Sequence, residues 1–200
     1  MKKFAFIDFH NTDGTTKKLH GFGIDWIKLY EFLVNQWKCE QVFFYIGVDD
    51  GDLDTVAMIN NLTEKGCIVR AKTVFAYKNK DKEISINCPS CGNKFIERID
   101  MGYNKKSNCD VDLTVDAMEL SRLNSEFYLF TGDGDFDFLI KNAISKGIKV
   151  VLVSSAKKIN SGHRYFTSRL STKLRKVLSE YPKEVNFIEI NNLKIKIEKK

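Results

Sequence analysis

The sequence has no apolar run approaching the ~20 residues that cross a bilayer. Its opening, Met1-Lys2-Lys3-Phe4-Ala5-Phe6-Ile7-Asp8, meets an aspartate too early for a secretory leader. No membrane association and a cytoplasmic location are therefore expected. Cysteine is sparse and odd in number, five in 200 residues, which argues against a disulfide framework. There is no internal repeat and no low-complexity tract. What is present, 43% hydrophobic and 29% charged residues, is an ordinary globular mix that excludes a disordered polymer, a collagen and a coiled coil. A chain of this length buries roughly two-thirds of its unfolded surface, enough for one domain whose core needs neither metal nor disulfide.

The net charge of +6 is unevenly placed. Residues 1–155 hold 20 Lys+Arg against 22 Asp+Glu, and residues 156–200 hold 12 against 4. A near-neutral body with a basic C-terminal segment suits a polyanionic partner. It equally suits a plain solvated face, so charge has meaning here only beside an acidic site.

Short apolar runs alternate with helical periodicity. Strands are expected at Phe4–Ile7, Val42–Ile46, 67–77, Phe127–Thr131, Ile148–Val153 and Val185–Ile190. Helices are expected over 22–37, 52–65, 111–123, 136–146 and 166–180, two of them closed by Gly66 and Gly147. Such an order specifies an α/β fold, a mostly parallel sheet covered on both faces through right-handed crossovers. Residues 78–106 break the rhythm. They are polar and carry Cys88-Pro89-Ser90-Cys91-Gly92 between Glu83–Ile86 and Lys94–Ile99, which reads as a small inserted hairpin. The basic segment 156–200 reads as a helix and a strand.

Carboxylates gather at predicted strand ends. Asp8 ends the first strand, and Asp133 and Asp135 follow Phe130-Thr131-Gly132. Ligands of open α/β sheets bind at that edge, where strand order reverses. Asp8 and Asp133 face each other there if their strands are neighbours. The intervening helix opens Cys109-Asp110-Val111-Asp112-Leu113-Thr114-Val115-Asp116, with Asp112 and Asp116 four apart on one face. First-turn acids are ordinary complements to the helix dipole; a mid-helix Asp116 among apolar neighbours is not. Crowded carboxylates raise each other's pKa unless a cation neutralises them. All-oxygen ligation suits Mg²⁺ or Mn²⁺, which activate water for in-line attack on phosphate. The glycines of Gly132-Asp133-Gly134-Asp135 offer backbone that a substrate can approach. The blander alternative is that Asp133 and Asp135 form only a turn and a helix cap.

These segments resemble the NYN domain proteins, the LabA-like branch of the PIN-like nuclease group. Phe6-Ile7-Asp8-Phe9-His10-Asn11 is similar to the family's first-strand Asp with Asn three later. Cys109–Asp116 is similar to its Val-Asp-Val helix opening with a second Asp six residues on. Thr131–Phe136 is similar to its Ser/Thr-Gly-Asp-Gly-Asp-Phe segment, and Ser168–Leu178 echoes it more weakly. The resemblance implies a Rossmann-like, PIN-type three-layer sandwich and metal-dependent ribonuclease activity on RNA. It makes Asp8, Asp110, Asp133 and Asp135 the catalytic metal carboxylates. Asn11, Asp112, Asp116 and Thr131 would support them. Departures are His10, where the family has a small residue, Cys109 in place of Val, and the 78–106 insertion.

Cys88-x-x-Cys91 is half a zinc ribbon, since tetrahedral zinc needs four ligands. Cys67 and Cys109, or a second subunit in a homo-oligomer, would complete the set; the alternative is a pair of reduced turn cysteines. Cys39 reads as core. Asp49, Asp50, Asp52 and Asp54 read as a solvated loop and cap with a peripheral metal role open, Asp137 as a first-turn acid, and His20 and His163 as surface residues. Trp26 and Trp37 read as core. Tyr77, Phe95 and Tyr103 pack the hairpin or stack on bases. Lys157, Lys158, Arg164, Arg169 and Lys173 follow the fifth strand and are the candidate RNA-phosphate contacts. Two other functions compete with the nuclease: an RNA-binding or regulatory module with an idle site, and a haloacid-dehalogenase-like phosphatase. The phosphatase needs Asp-x-Asp-x-Thr, whereas the chain has Asp8-Phe9-His10-Asn11-Thr12.

Overall fold

A computed structural model of the chain describes residues 1–160 and 166–200. His163 and Arg164 lie outside the described residues. The elements in chain order are β1 (Lys2–Asp8), α1 (Phe9–Thr15), α2 (Trp26–Asn35), β2 (Gln41–Val48), α3 (Leu53–Glu64), β3 (Ile68–Thr73), β4 (Phe75–Lys78), β5 (Lys82–Asn87), β6 (Lys94–Ile99), β7 (Tyr103–Lys106), α4 (Asp110–Glu119), β8 (Ser125–Phe130), α5 (Asp137–Ser145), β9 (Lys149–Ser154), β10 (Lys158–Asn160), β11 (Phe166–Ser168), α6 (Thr172–Glu180), β12 (Val185–Glu189) and α7 (Lys194–Ile197).

Six strands form one fully parallel sheet in the order β12-β9-β8-β1-β2-β3. Strands covered on both faces need continuous apolar runs, and β8, buried along its whole length, shows it. Alternation across β1 assigns the two cores. Phe4 and Phe6 face one layer with Leu113 and Ala117 of α4, Leu139, Ile140 and Ala143 of α5, and Leu174 and Val177 of α6. Ala5 and Ile7 face the other with Trp26, Leu29 and Leu33 of α2, Leu62 of α3, and Ile197 of α7. The fold is thus the expected Rossmann-like three-layer α/β sandwich. Counting only sheet strands, the spatial order is 3-2-1-4-5-6, so strand order reverses between β1 and β8.

Several elements differ from expectation. Residues 9–20 are helical, α1 followed by a π-helical turn over Thr16–His20. Their sequence is polar and rich in β-branched residues, with poor helix propensity. Side chains hold them: Thr12 Oγ1 donates to the Phe130 carbonyl (3.0 Å) and Thr15 Oγ1 to that of Asn11 (2.7 Å). The helix expected over 166–180 begins only at Thr172, where Ser171 caps it by accepting from the Leu174 N–H. The stretch before it is β11, paired with β10. The strand expected over 67–77 stops at Thr73, and β4 leaves the sheet to pair with β7.

The insertion is therefore longer than 78–106. The β4–β7 and β5–β6 ladders share one register, Phe75↔Lys106 through Lys78↔Tyr103 and Lys82↔Ile99 through Asn87↔Lys94. They are two lengths of a single two-stranded ribbon, interrupted at 79–81 and 100–102. Cys67 and Cys109 are not near its tip: both are buried in the body, their thiols donating to the carbonyls of Val42 and Ile46. Burial pushes the Cys67 thiol up to about 12, the opposite of what a metal thiolate requires. Neither completes a zinc site with Cys88 and Cys91. Trp26 and Cys39 are core, as expected. His20 is not a surface residue; its enclosed ring meets Ser155 Oγ at 2.9 Å and Glu189 Oε1 at 3.3 Å.

Candidate active site

The β1 and β8 ends are stitched together by side chains. Asp8 Oδ1 accepts from the Asn11 N–H (3.2 Å), capping α1, and Oδ2 accepts from Thr131 Oγ1 (3.0 Å). Thr131 Oγ1 accepts in turn from the Asp133 N–H (3.2 Å). Asn11 Oδ1 accepts from the Gly132 N–H (2.8 Å). Asp133 Oδ1 accepts from the Asp135 N–H (3.0 Å) and caps the 3₁₀ turn Gly134–Phe136. Asp135 is not a cap: its side chain is exposed and meets Lys173 at 3.3 Å. Asn11 and Thr131 thus fix the carboxylates they accompany.

These ends open onto a crevice of about 710 Å³ lined by His10, Asp49, Ser107, Asn108, Asp110, Asp133 and Asp135. Asp8, His10 and Asp110 line a smaller recess beside it. Asp8 is pushed up to about 6, by enclosure above all, with repulsion from Asp110 and Asp133 adding to it. Asp110 is also raised, by burial and then by Asp133 and Asp135. Four carboxylates from three chain segments therefore sense one another across the switch point, and two of them bear an electrostatic cost.

This donor set fits a hard divalent cation: all oxygen, net negative and partly desolvated. Among the described residues no three His, Cys, Asp or Glu side chains are already closed on a single point. The carboxylates rim the crevice rather than fill it.

Two expected members stand elsewhere. Asp112 pairs with Lys72 at 2.7 Å. Asp116 accepts both Arg70 Nε and Nη2 (each 3.0 Å) and the Tyr45 hydroxyl (3.0 Å). Buried Asp116 and Tyr45 and half-exposed Arg70 thus clamp α4 to strands β2 and β3, which accounts for an acid amid apolar neighbours. Asp116→Ala leaves Tyr45 and Arg70 unpartnered. It should lower unfolding stability by about 2 kcal/mol, read as a shift in the chemical denaturation midpoint.

Glycine in the Gly132-Asp133-Gly134-Asp135 turn also has a different reason from the expected one. The backbone that approaches Gly132 is the protein's own, at Arg169. Sequence reasoning missed Ser107 and Asn108, which line the crevice, and the His10 anchor. Nε2 of His10 stands 3.1 Å from both the carbonyl oxygen and the amide nitrogen of Gly47, donating to the first or accepting from the second according to its tautomer. Gly47 carried the available signal, because a Cβ there would collide with Ser107. His10 occupies the place where the phosphatase motif needs its second aspartate.

The basic segment is partly structural. Lys157 Nζ donates to the Leu19 carbonyl (3.0 Å) and Arg169 Nη2 to that of Gly14 (3.4 Å). Lys173 stands at the crevice rim beside Asp135, and Lys158 is exposed. Asp52 caps α3 by accepting from Thr55, and Asp137 meets Lys141 in the first turns of α5. Asp49 lies at the crevice edge.

Residues 4–171 match the NYN domain model. The chain belongs to the NYN domain family. Among curated relatives, the low amplitude and bright protein LabA of Synechococcus elongatus is 25% identical over 152 residues, covering 75% of this chain and 72% of that protein. Among solved structures, a Vibrio parahaemolyticus protein of unknown function, VPA0982, superposes with TM-score 0.60 at 18% identity, covering 94% of this chain and 92% of the other. That likeness shows the shared fold. The NYN match places the chain with the PIN-like nucleases, a group that works with divalent metals. No helix among the described residues is long and apolar enough to cross a membrane.

Proposed function

We propose that this NYN protein is a metal-dependent endoribonuclease. One observation carries the reading: Asp8, Asp110, Asp133 and Asp135 converge on the β1/β8 switch point, where burial first and then the neighbouring carboxylates raise the proton affinity of Asp8 and Asp110. A fold keeps such repulsion where a cation relieves it. The residues that would hold Mg²⁺ or Mn²⁺ are these four. When bound, such an ion stabilises charge developing on a phosphate and lowers the pKa of a water for attack.

The chain's own residues do the rest. Asn11 and Thr131 hold Asp8 and the 131–135 turn in fixed relation. Lys173 and the exposed Lys158 offer cations to a phosphate backbone, sequence-blind and salt-sensitive. Arg169, tied to Gly14, is a scaffold residue. A groove of about 690 Å³ lined by Phe75, Tyr77, Asn79 and Asn104 runs into the crevice at Ser107 and Asn108. Exposed rings and amides beside a phosphate-cleaving site suit unpaired bases better than a duplex.

The test is incubation of single-stranded RNA with the purified chain, with and without Mn²⁺. Internal cleavage is expected only with the ion. Asp110→Asn and Asp133→Asn should slow it on the order of 10²–10³-fold, the scale of losing one preorganised electrostatic group. Cleavage by Asp133→Asn at the parent rate would overturn the assignment. Salt-sensitive binding without cleavage would leave an RNA-binding module.

A further inference from the structure

The ribbon's tip carries two thiols and no more. Cys91 is exposed and Cys88 partly so, while the other three cysteines are buried in the body. The tip is a tight reverse turn that brings Cys88 and Cys91 to one end of the ribbon. The Cys88 N–H donates to the Asn93 carbonyl (2.9 Å) and the Gly92 N–H to that of Cys88 (2.9 Å). Gly92 adopts φ +74°, which glycine alone takes readily. Cys88 and Cys91 stand three residues apart on this turn, at the end of the ribbon. Yet among the described residues no third ligand joins them. Two thiolates satisfy half of a tetrahedral zinc ion.

The ribbon is also unfinished as a structure. The β5–β6 ladder is a two-stranded sheet joined to no other strand, and all of β6 is exposed. An isolated two-stranded hairpin is at best marginally stable in water. Its register puts Ile84, Ile86, Phe95 and Ile99 on one face, interrupted by Glu97 and bounded by Lys82. Phe95 is 52% exposed and Ile99 40%. An apolar face and half a ligand set on one protruding element need the same remedy.

We propose that two copies of this chain dimerise through the ribbon. Cys88 and Cys91 of each would together bind one Zn²⁺, and the two Ile84/Ile86/Phe95/Ile99 faces would pack on each other. The contact is isologous, as a two-fold dimer demands. Four S–H bonds break, four Zn–S bonds form and four protons pass to solvent. The resulting Zn(Cys)₄ carries a net charge of −2, and Lys94, just past each knuckle, is placed to offset it.

The experiment uses the full chain under reducing conditions. Zinc content is measured by elemental analysis and mass by light scattering, before and after chelation. Expected are one zinc per two chains, a mass of twice 23.0 kDa, and reversion to monomer with chelator. Cobalt in place of zinc should give the near-ultraviolet thiolate-to-metal band at four-thiolate intensity. Cys88→Ser and Cys91→Ser should lose both metal and dimer while keeping the parent's melting transition, since the tip stands outside both cores. One zinc per chain in a monomer, a dimer that survives chelation, or absence of zinc binding would each overturn the proposal. RNA cleavage is not read, so the outcome is independent of the nuclease assignment.

Discussion

Asp8→Asn is expected to eliminate cleavage and, in the absence of divalent ions, to make the protein more stable. The carboxyl stands at about 6 in the fold against 3.8 in the unfolded chain. Between these values the native state keeps a proton that the unfolded chain has released. Stability must therefore fall as pH rises from about 4 to about 6 and level off above. A shift of this size corresponds to about 2–3 kcal/mol at neutral pH. Asparagine carries no charge to desolvate. Its amide oxygen can still accept the Asn11 N–H, and its amide nitrogen can donate to Thr131 Oγ1. We expect the variant to melt about 4–8 °C higher than the parent at pH 7 in chelator and to lack the parent's decline between pH 4 and 6. Mn²⁺ should reverse the order. Binding to the native parent raises its melting point by mass action, whereas the variant lacks a ligand and gains little. Thermal melts across pH, with and without Mn²⁺, decide it. A variant less stable than the parent in chelator at pH 7 would show that Asp8 is held for the fold and not for an ion.

This trade between stability and site explains what was legible in the sequence. Strands buried on both faces leave near-continuous apolar runs, so β1, β2, β8 and β9 could be read from residues alone, while β3 and β12 are partly exposed edge strands. Acids directly after such runs stand out, because nothing in a buried strand calls for them. That is why Asp8, Asp133 and Asp135 stand out as candidates, whereas Asp110, an ordinary first-turn acid on its own, enters only through the family resemblance. Asp116 misled for the same reason. It looks equally out of place in its helix, but its partner Arg70 lies 46 residues away, and only the fold shows that the charge is already answered. Local pattern detects an anomalous acid; it does not tell an ion site from an ion pair.

What could not be read depends on contacts distant in sequence. The propensity of α1 is poor, and its helix exists because Asp8 caps it and Phe130 receives Thr12. Strands β4 and β7 are four residues each, and β4 is exposed throughout, so neither length nor burial marks them. His20 has no signal at all beyond its partners Ser155 and Glu189.

Gly132→Ala should be the most damaging small substitution in the site, although the backbone there is not in the left-handed region. The obstacle is space. An alanine Cβ would run into the Arg169 carbonyl oxygen, stand 2.7 Å from that residue's carbonyl carbon and 2.8 Å from Ser154 Oγ. The first two are backbone atoms, and their segment is fixed on both sides. The Ser171 N–H donates to the Gly132 carbonyl (3.0 Å) and the Leu170 N–H to that of Ser155 (3.1 Å). To admit a methyl group the 169–171 segment must retreat. It would break those bonds and release the Gly132–Asn11 contact that aligns the β8 turn with β1. Overpacking of this kind costs about 1–3 kcal/mol before any hydrogen bond is lost, so about 3–4 kcal/mol is expected in all. Cleavage should fall with it, because Asp133 and Asp135 ride on the displaced turn. Gly134→Ala is the control. Its Cβ would meet Ser171 Oγ at 2.8 Å and Ser171 Cβ and Lys173 Cδ at 3.2 Å; the lysine can swing away and moving the serine gives up only the α6 cap, so about 1–2 kcal/mol is expected. Urea unfolding midpoints rank the two variants. Equal losses would mean that the Arg169 strap yields easily and does not set the geometry of the carboxylates.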